Sequence, residues 1–281
     1  AQGGVRFYTL DNEPSLWHLN HRDVHPVGAS LEELRDKQLS HAAMVKALDP
    51  AALTFGPEEW GWDGYFYSGY DQQSLATYGA GRTPDRDAHG GMDALPWLLD
   101  QLRRDEQATG RRLLDVFSVH YYPQGGEFST DTSSGMQALR NRSTRALWDA
   151  SYVDESWIKS PVALIPRLKR WVRDYYPGTQ VGLTEYNWGA EGHISGALAQ
   201  ADILGIFGRE GLDYGIRWQT PAENTPTPGA GGGPNPEPLR APTHSSSRRK
   251  PCARSACSWW MRCTSVRIGA SFCGTGGTAG A

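Results

Sequence analysis

Two glutamates carry the chemistry that this chain suggests. Glu13 lies in Asp11-Asn12-Glu13-Pro14, behind a β-rich run at 5–10, and Glu185 opens Glu185-Tyr186-Asn187-Trp188, behind a second run at 180–184. Where parallel strands end on one face of an α/β fold, carboxylates far apart in sequence meet across one cleft. Hydrolysis of a glycosidic bond uses such a pair. One carboxyl protonates the leaving oxygen, and the other attacks the anomeric carbon or activates water, so no cofactor is required. Asn12 can hold the 2-hydroxyl of the reacting sugar, and Pro14 turns the chain away from its strand. Tyr186 and Asn187 can donate to Glu185 and keep it ionised, as a nucleophile requires. For either glutamate alone, a solvated charge at a loop end is the bland alternative. Two at strand ends, one as Asn-Glu-Pro, weigh against it.

The elements that would position this pair alternate strand and helix, the order of a parallel sheet built from βαβ units. Ser30 and Glu33 form a capping box ahead of a helix at 31–48. A strand at 52–55 follows, then an aromatic-rich loop at 56–71. A helix near 92–104 leads to an apolar strand at 114–120, continuous as expected where both faces are covered. The excursion 121–160 carries a helix near 136–148, and Pro166 sets the start of the next helix, 162–175, or kinks it. Gly211 stops an amphipathic helix at 195–210, and 214–218 is the last strand. Five strands with four helices fall short of the eight of each that close a barrel. The expectation is an α/β fold in which residues 1–228 form the C-terminal part of a (β/α)8 catalytic barrel, lacking about three N-terminal βα units.

After Pro228 the composition turns to Gly, Pro, Ser, Arg and Cys, with no strand or helical period. All four cysteines, Cys252, Cys257, Cys263 and Cys273, lie there at spacings that match no zinc pattern. Residues 229–281 read as an irregular tail, either a flexible extension or a translated frame error. Free cysteines beside Trp259-Trp260-Met261 favour the frame error. The tail holds seven basic residues and one acid, which leaves 21 basic and 30 acidic residues in 1–228, a net charge of −9. An acidic body argues against nucleic acid or an anionic membrane as partner and suits a neutral polysaccharide. No run is apolar enough to span a bilayer.

Nine of the eleven tryptophans precede residue 229. Most suit a large core, but flat rings also stack on sugar C–H faces. Trp62, Tyr67, His120, Tyr121, Trp157, Tyr186, Trp188 and Trp218 fall at strand ends or in adjoining loops and are the candidate substrate contacts. His120 suits a hydrogen bond to the nucleophile or to a sugar hydroxyl, and a satisfied core histidine is its alternative. Glu58 and Glu59 form a rival acidic pair, able to bind sugar or, with oxygens such as Asp71, a calcium ion. His18, His21 and His25 are loosely spaced like metal ligands, but hydrogen bonding within the loop after Glu13 is the simpler reading.

The run Tyr8-Thr-Leu-Asp-Asn-Glu-Pro-Ser-Leu-Trp17, continuing to His21-Arg-Asp-Val-His-Pro26, resembles glycoside hydrolase family 44, the endoglucanases and xyloglucanases. So do Gly56-Pro-Glu-Glu-Trp-Gly-Trp62, Ser118-Val-His-Tyr-Tyr122, Asn141-Arg-Ser-Thr-Arg145, Asp154-Glu-Ser-Trp157 and Leu183-Thr-Glu-Tyr-Asn-Trp-Gly189. The resemblance implies a retaining endo-β-1,4-glucanase on a (β/α)8 barrel, with Glu13 as acid/base, Glu185 as nucleophile and a structural calcium. The family's first strands, its continuation after Thr227 and its accessory β-sandwich have no counterpart here.

The leading expectation is a secreted hydrolase, monomeric when complete, that cleaves internal β-1,4 bonds of cellulose-type glucans or xyloglucan. Its rivals are a carbohydrate-binding remnant without turnover and an inactive fragment, since an open five-stranded sheet exposes two unpaired edges.

Overall fold

Five strands lie side by side in chain order, each parallel to the one before. They are β1 (Phe7–Thr9), β2 (Leu53–Glu59), β3 (Val116–Tyr121), β4 (Gln180–Tyr186) and β5 (Tyr214–Gly215). The computed structural model describes residues 5–218. Parallel neighbours need crossovers, and helices supply them. Helices α1 (Trp17–Asn20) and α2 (Leu31–Leu48) join β1 to β2, and α3 (Trp62–Phe66), α4 (Gly69–Tyr78), α5 (Pro84–Ala88) and α6 (Ala94–Thr109) join β2 to β3. Helices α7 (Ser134–Ser143) and α8 (Leu164–Tyr175) precede β4, and α9 (Ile194–Glu210) precedes β5.

The sheet is curled into a half-barrel. β1 and β5 are the outermost strands, yet the rings of Phe7 and Tyr214 meet at 5.9 Å between centroids, and Phe55 touches both. Strand alternation then separates two environments. On β3, Val116, Ser118 and His120 face the concave lumen, whereas Phe117, Val119 and Tyr121 enter the core beneath the outer helices. Helix α8 closes that core with Leu164, Ile165, Leu168, Trp171 and Val172, a stripe at helical spacing. Each such side chain adds about 1.5–3 kcal/mol by leaving water.

Local signals decide most boundaries. Ser30 Oγ accepts from the Glu33 amide at 3.2 Å and starts α2 where the capping box predicts. Gly211, at φ 63°, ends α9. Pro166 falls in the first turn of α8, where an amide has no helical partner. Two expectations are corrected. The segment expected as a loop from residue 56 begins as strand, because β2 stays paired with β3 through Glu59. The last strand is two residues long, not five. The expected tail at 229–281, with its four cysteines, lies outside the described residues.

Candidate active site

The loop after β1 is held in place from both sides. The Leu10 amide extends the ladder to the Phe55 carbonyl, the Glu13 amide donates to the Glu58 carbonyl at 2.9 Å, and the Trp17 indole donates to the Asn12 carbonyl. Between these anchors Glu13 adopts φ 46°, a left-handed conformation that costs a glutamate roughly 1–3 kcal/mol and persists only where neighbours enforce it.

Two β-bulges supply the other acids. Opposite β3, β2 carries one extra residue, Glu58, between Pro57 and Glu59, and Glu58 sits at φ 61°. β4 likewise carries an extra residue, Thr184, so that Glu185 pairs with His120. Simple alternation would send Glu185 outward with Leu183; the bulge re-aims it into the lumen.

Around His120 the carboxylates converge. Its Nδ1 lies 3.0 Å from Glu13 Oε1 and 3.5 Å from Glu185 Oε2, and its Nε2 lies 3.3 Å from Glu58 Oε2. Ser118 and Thr184 donate their hydroxyls to Glu58. The Tyr122 hydroxyl donates to Glu185 Oε2 at 2.8 Å. A carboxylate oxygen of Glu13 and one of Glu185 stand within 4.8 Å of each other.

Burial alone would lower the His120 pKa, but hydrogen bonds to Glu13 and Glu58 and the charge of Glu185 outweigh it and raise it to about 9. That shift favours an imidazolium at neutral pH, with both ring nitrogens directed at carboxylates. Burial raises the Glu185 pKa, opposed by His120 and the Tyr122 hydroxyl. Burial and the negative charge of Glu185 push Tyr122 upward, so it stays a donor.

Glu13 and Glu185 share an open cleft of about 430 Å³ with Asn12, Tyr122, Phe128 and Trp218. Asn12 and Trp218 thus lie where the sequence suggested, and Trp218 is half-exposed. Trp157 is exposed on the flank, its indole donating to Gln124, which in turn donates to the Tyr122 carbonyl. Trp62 and Tyr67 are displaced from the cleft. Trp62 packs on Phe66 beneath Arg167, and Tyr67 lies beneath Arg86. Tyr121, Tyr186 and Trp188 are corrected to core residues. The strand period sends Tyr121 outward, the bulge at Thr184 turns Tyr186 the same way, and all three are buried, with Trp188 donating to Ser143 and Tyr186 accepting from Gln200. The expected donors to Glu185 are corrected too: Tyr186 points away, and Asn187 binds Glu191 and the Trp218 carbonyl. Tyr122 and Phe128 were missed. The period of two from Ser118 through His120 carries a usable signal for Tyr122; none marks Phe128.

Glu58, Glu59 and Asp71 do not fit one calcium site. Glu58 faces the lumen, Glu59 accepts from Ser15 on the opposite face, and Asp71 accepts the amides of Asp85 and Arg86. Burial pushes Glu59 up to about 8. Glu32, Asp85 and His89 also cluster, but His89 bonds the Glu32 carboxylate through Nε2 and the Asp85 carbonyl through Nδ1, a tether between α2 and α5. Among the described residues no helix is long and apolar enough to cross a membrane.

Comparison with known proteins gives the ancestry. The chain is 36% identical over 231 residues to endoglucanase A of Paenibacillus lautus, covering 77% of this chain and 31% of that protein. Its fold matches the crystal structure of CelM2, a bifunctional glucanase-xylanase from a metagenome library, at TM-score 0.78 and 66% identity, over 80% of this chain and 43% of that one. A Paenibacillus polymyxa xyloglucanase of the same family, solved with xyloglucan, matches at TM-score 0.69 and 36% identity, over 79% and 43%. The chain thus spans less than half the length of each of these relatives. Residues 1–125 match the family model of glycoside hydrolase family 44.

Proposed function

We propose that this chain carries the reacting pair of a retaining endo-acting glycoside hydrolase that cleaves β-1,4-linked glucans of the cellulose or xyloglucan type. Glu13 acts as acid/base and Glu185 as nucleophile. The observation that carries the reading is the approach of their carboxylate oxygens to within 4.8 Å in an open cleft at the carboxyl ends of β1 and β4. Retaining enzymes hold their carboxyl groups about 5–5.5 Å apart, whereas inverting enzymes leave about 6.5–9.5 Å for a water. The division of roles follows from neighbours. Tyr122 donates to Glu185, and a donor aimed at a carboxylate favours the ionised form that attacks. Asn12, beside Glu13 in the cleft, suits a sugar hydroxyl. Attack by Glu185 on the anomeric carbon, as Glu13 protonates the departing oxygen, forms a covalent glycosyl ester. Glu13 then deprotonates the water that releases it. Activity on glucan, glucan-xylan and xyloglucan among the relatives supports the substrate class. A polymer too large to enter a cell places such an enzyme outside it, and Trp157 and Trp218 offer exposed rings along its path.

Labelling tests the reading. An activated 2-deoxy-2-fluoro-cellobioside is expected to leave a stable adduct on Glu185, located by peptide mass spectrometry. An adduct on another residue refutes the nucleophile, and a first-formed product of inverted anomeric configuration by NMR refutes retention. Retarded migration on glucan gels with neither adduct nor product indicates a binding remnant instead.

A further inference from the structure

The third lumen carboxylate has no part in the reaction as described. Glu58 is 2% exposed, and it reaches the lumen only because a bulge inserts it into β2 in a left-handed conformation. Ser118 donates to one of its oxygens and Thr184 to the other, and the second oxygen also faces His120 Nε2 at 3.3 Å. The two hydroxyls come from β3 and β4, and with His120 they fix the carboxyl group on three sides. The opposite ring nitrogen of His120 is the one that meets Glu13 and Glu185.

We propose that Glu58 is a positioning residue for the reacting pair: its buried carboxylate holds His120 as an imidazolium whose Nδ1–H points between Glu13 and Glu185. The inference rests on the reading of those two glutamates as the reacting pair. An imidazole without Glu58 is free to rotate or to lose the proton at Nε2. With Glu58 in place one positive charge is held against the pair throughout the reaction. The groups that face the His120 ring are Glu13 from the loop after β1, Glu58 from β2 and Glu185 from β4, while Glu59, on the other face of β2, acts on it by charge alone. Tyr65 donates to the His120 carbonyl from α3, and Tyr122 follows on its own strand. The ring nitrogens thus meet three carboxylates, and the set favours a charged ring.

The test reads His120 directly, by the long-range ¹H–¹⁵N signals of its ring in the labelled chain. Its resonance is assigned among eight histidines by its loss in His120→Gln. The ring is expected to stay doubly protonated through pH 8 and to titrate near 9. Glu58→Gln, which keeps the shape, is expected to lower that midpoint by about 1 unit or more, and Glu58→Asp to lower it less. A neutral His120 at pH 7 in the unsubstituted chain overturns the proposal, whether or not any variant folds. A folded Glu58→Gln chain with an unmoved midpoint overturns it equally. No turnover is read, so the two readings fail separately. An inactive chain with the expected titration defeats only the hydrolase reading, and an active chain with a neutral His120 defeats only this one.

Discussion

Replacing Arg140 with methionine should destabilise the chain by about 4 kcal/mol, more than any surface change. Arg140 is fully buried and lies on α7. Its guanidinium donates to the carbonyls of Glu127, Ser129, Asp131 and Trp188 and to Ser195 Oγ. Methionine fills much of the same volume and spares the desolvation of a cation, a gain that can offset a lost ion pair when both partners are replaced together. Here the partners are backbone carbonyls, which no side-chain change removes. Those of Ser129 and Asp131 belong to exposed residues and can turn to water. Those of Glu127 and Trp188 are bonded within the buried interior and remain without a donor. Two orphaned groups at about 1–3 kcal/mol each give the stated loss. Urea denaturation followed by tryptophan fluorescence measures it. A loss under about 1 kcal/mol would show that the loop finds other donors, and the reasoning about buried carbonyls would fail. The carbonyls of Glu127 and Ser129 flank Phe128, so the substitution should also loosen one wall of the cleft.

Two further outcomes follow from the electrostatics. In Tyr122→Phe the donor that favours ionised Glu185 is lost, so the pKa of that carboxyl rises. If hydrolysis requires ionised Glu185, the acidic limb of the kcat profile moves to higher pH by about 1 unit; an unmoved limb refutes the role of Tyr122. Glu59 has a folded pKa of about 8 against an ordinary value of 4.5, so its folded form binds the extra proton. Stability is full below about 4.5 and is lost as pH rises toward 8. Glu59→Gln, still able to accept from Ser15, is therefore expected to flatten the decline in urea midpoint between pH 5 and 8. A decline equal to that of the unsubstituted chain contradicts the assignment.

The outer layer was legible because its signals are local. Ser30 and Glu33 start α2, Gly211 ends α9, and the apolar continuity of β3 marks a strand covered on both faces. The pairing of Glu13 with Glu185 was also legible, since strand ends on a parallel sheet share one side. What sequence could not supply is the register of each strand against its neighbour. Alternation alone turns Glu58 and Glu185 whichever way the strand start dictates, and the two bulges that aim them inward are defined only by pairing with β3. Aromatic candidates failed for the same reason. Tyr121, Tyr186 and Trp188 stand next to site residues in sequence, and a single step along a strand is the step from lumen to core. Glu58 and Glu59, adjacent in sequence, end on opposite faces and so never formed the paired site their spacing suggested.

The rings of Phe7, Phe55 and Tyr214 give the lumen a floor. Above it Ser118 and Thr184 form a hydroxyl tier, and the charges of Glu13, His120 and Glu185 form the topmost one. From Val116 to His120 is four residues of strand, about 13 Å. Polarity thus grades from oil to salt along one short axis. With a low-dielectric stopper beneath them, the buried charges have their field directed outward through the mouth. Anything at the mouth meets that field at the gap between the two glutamates.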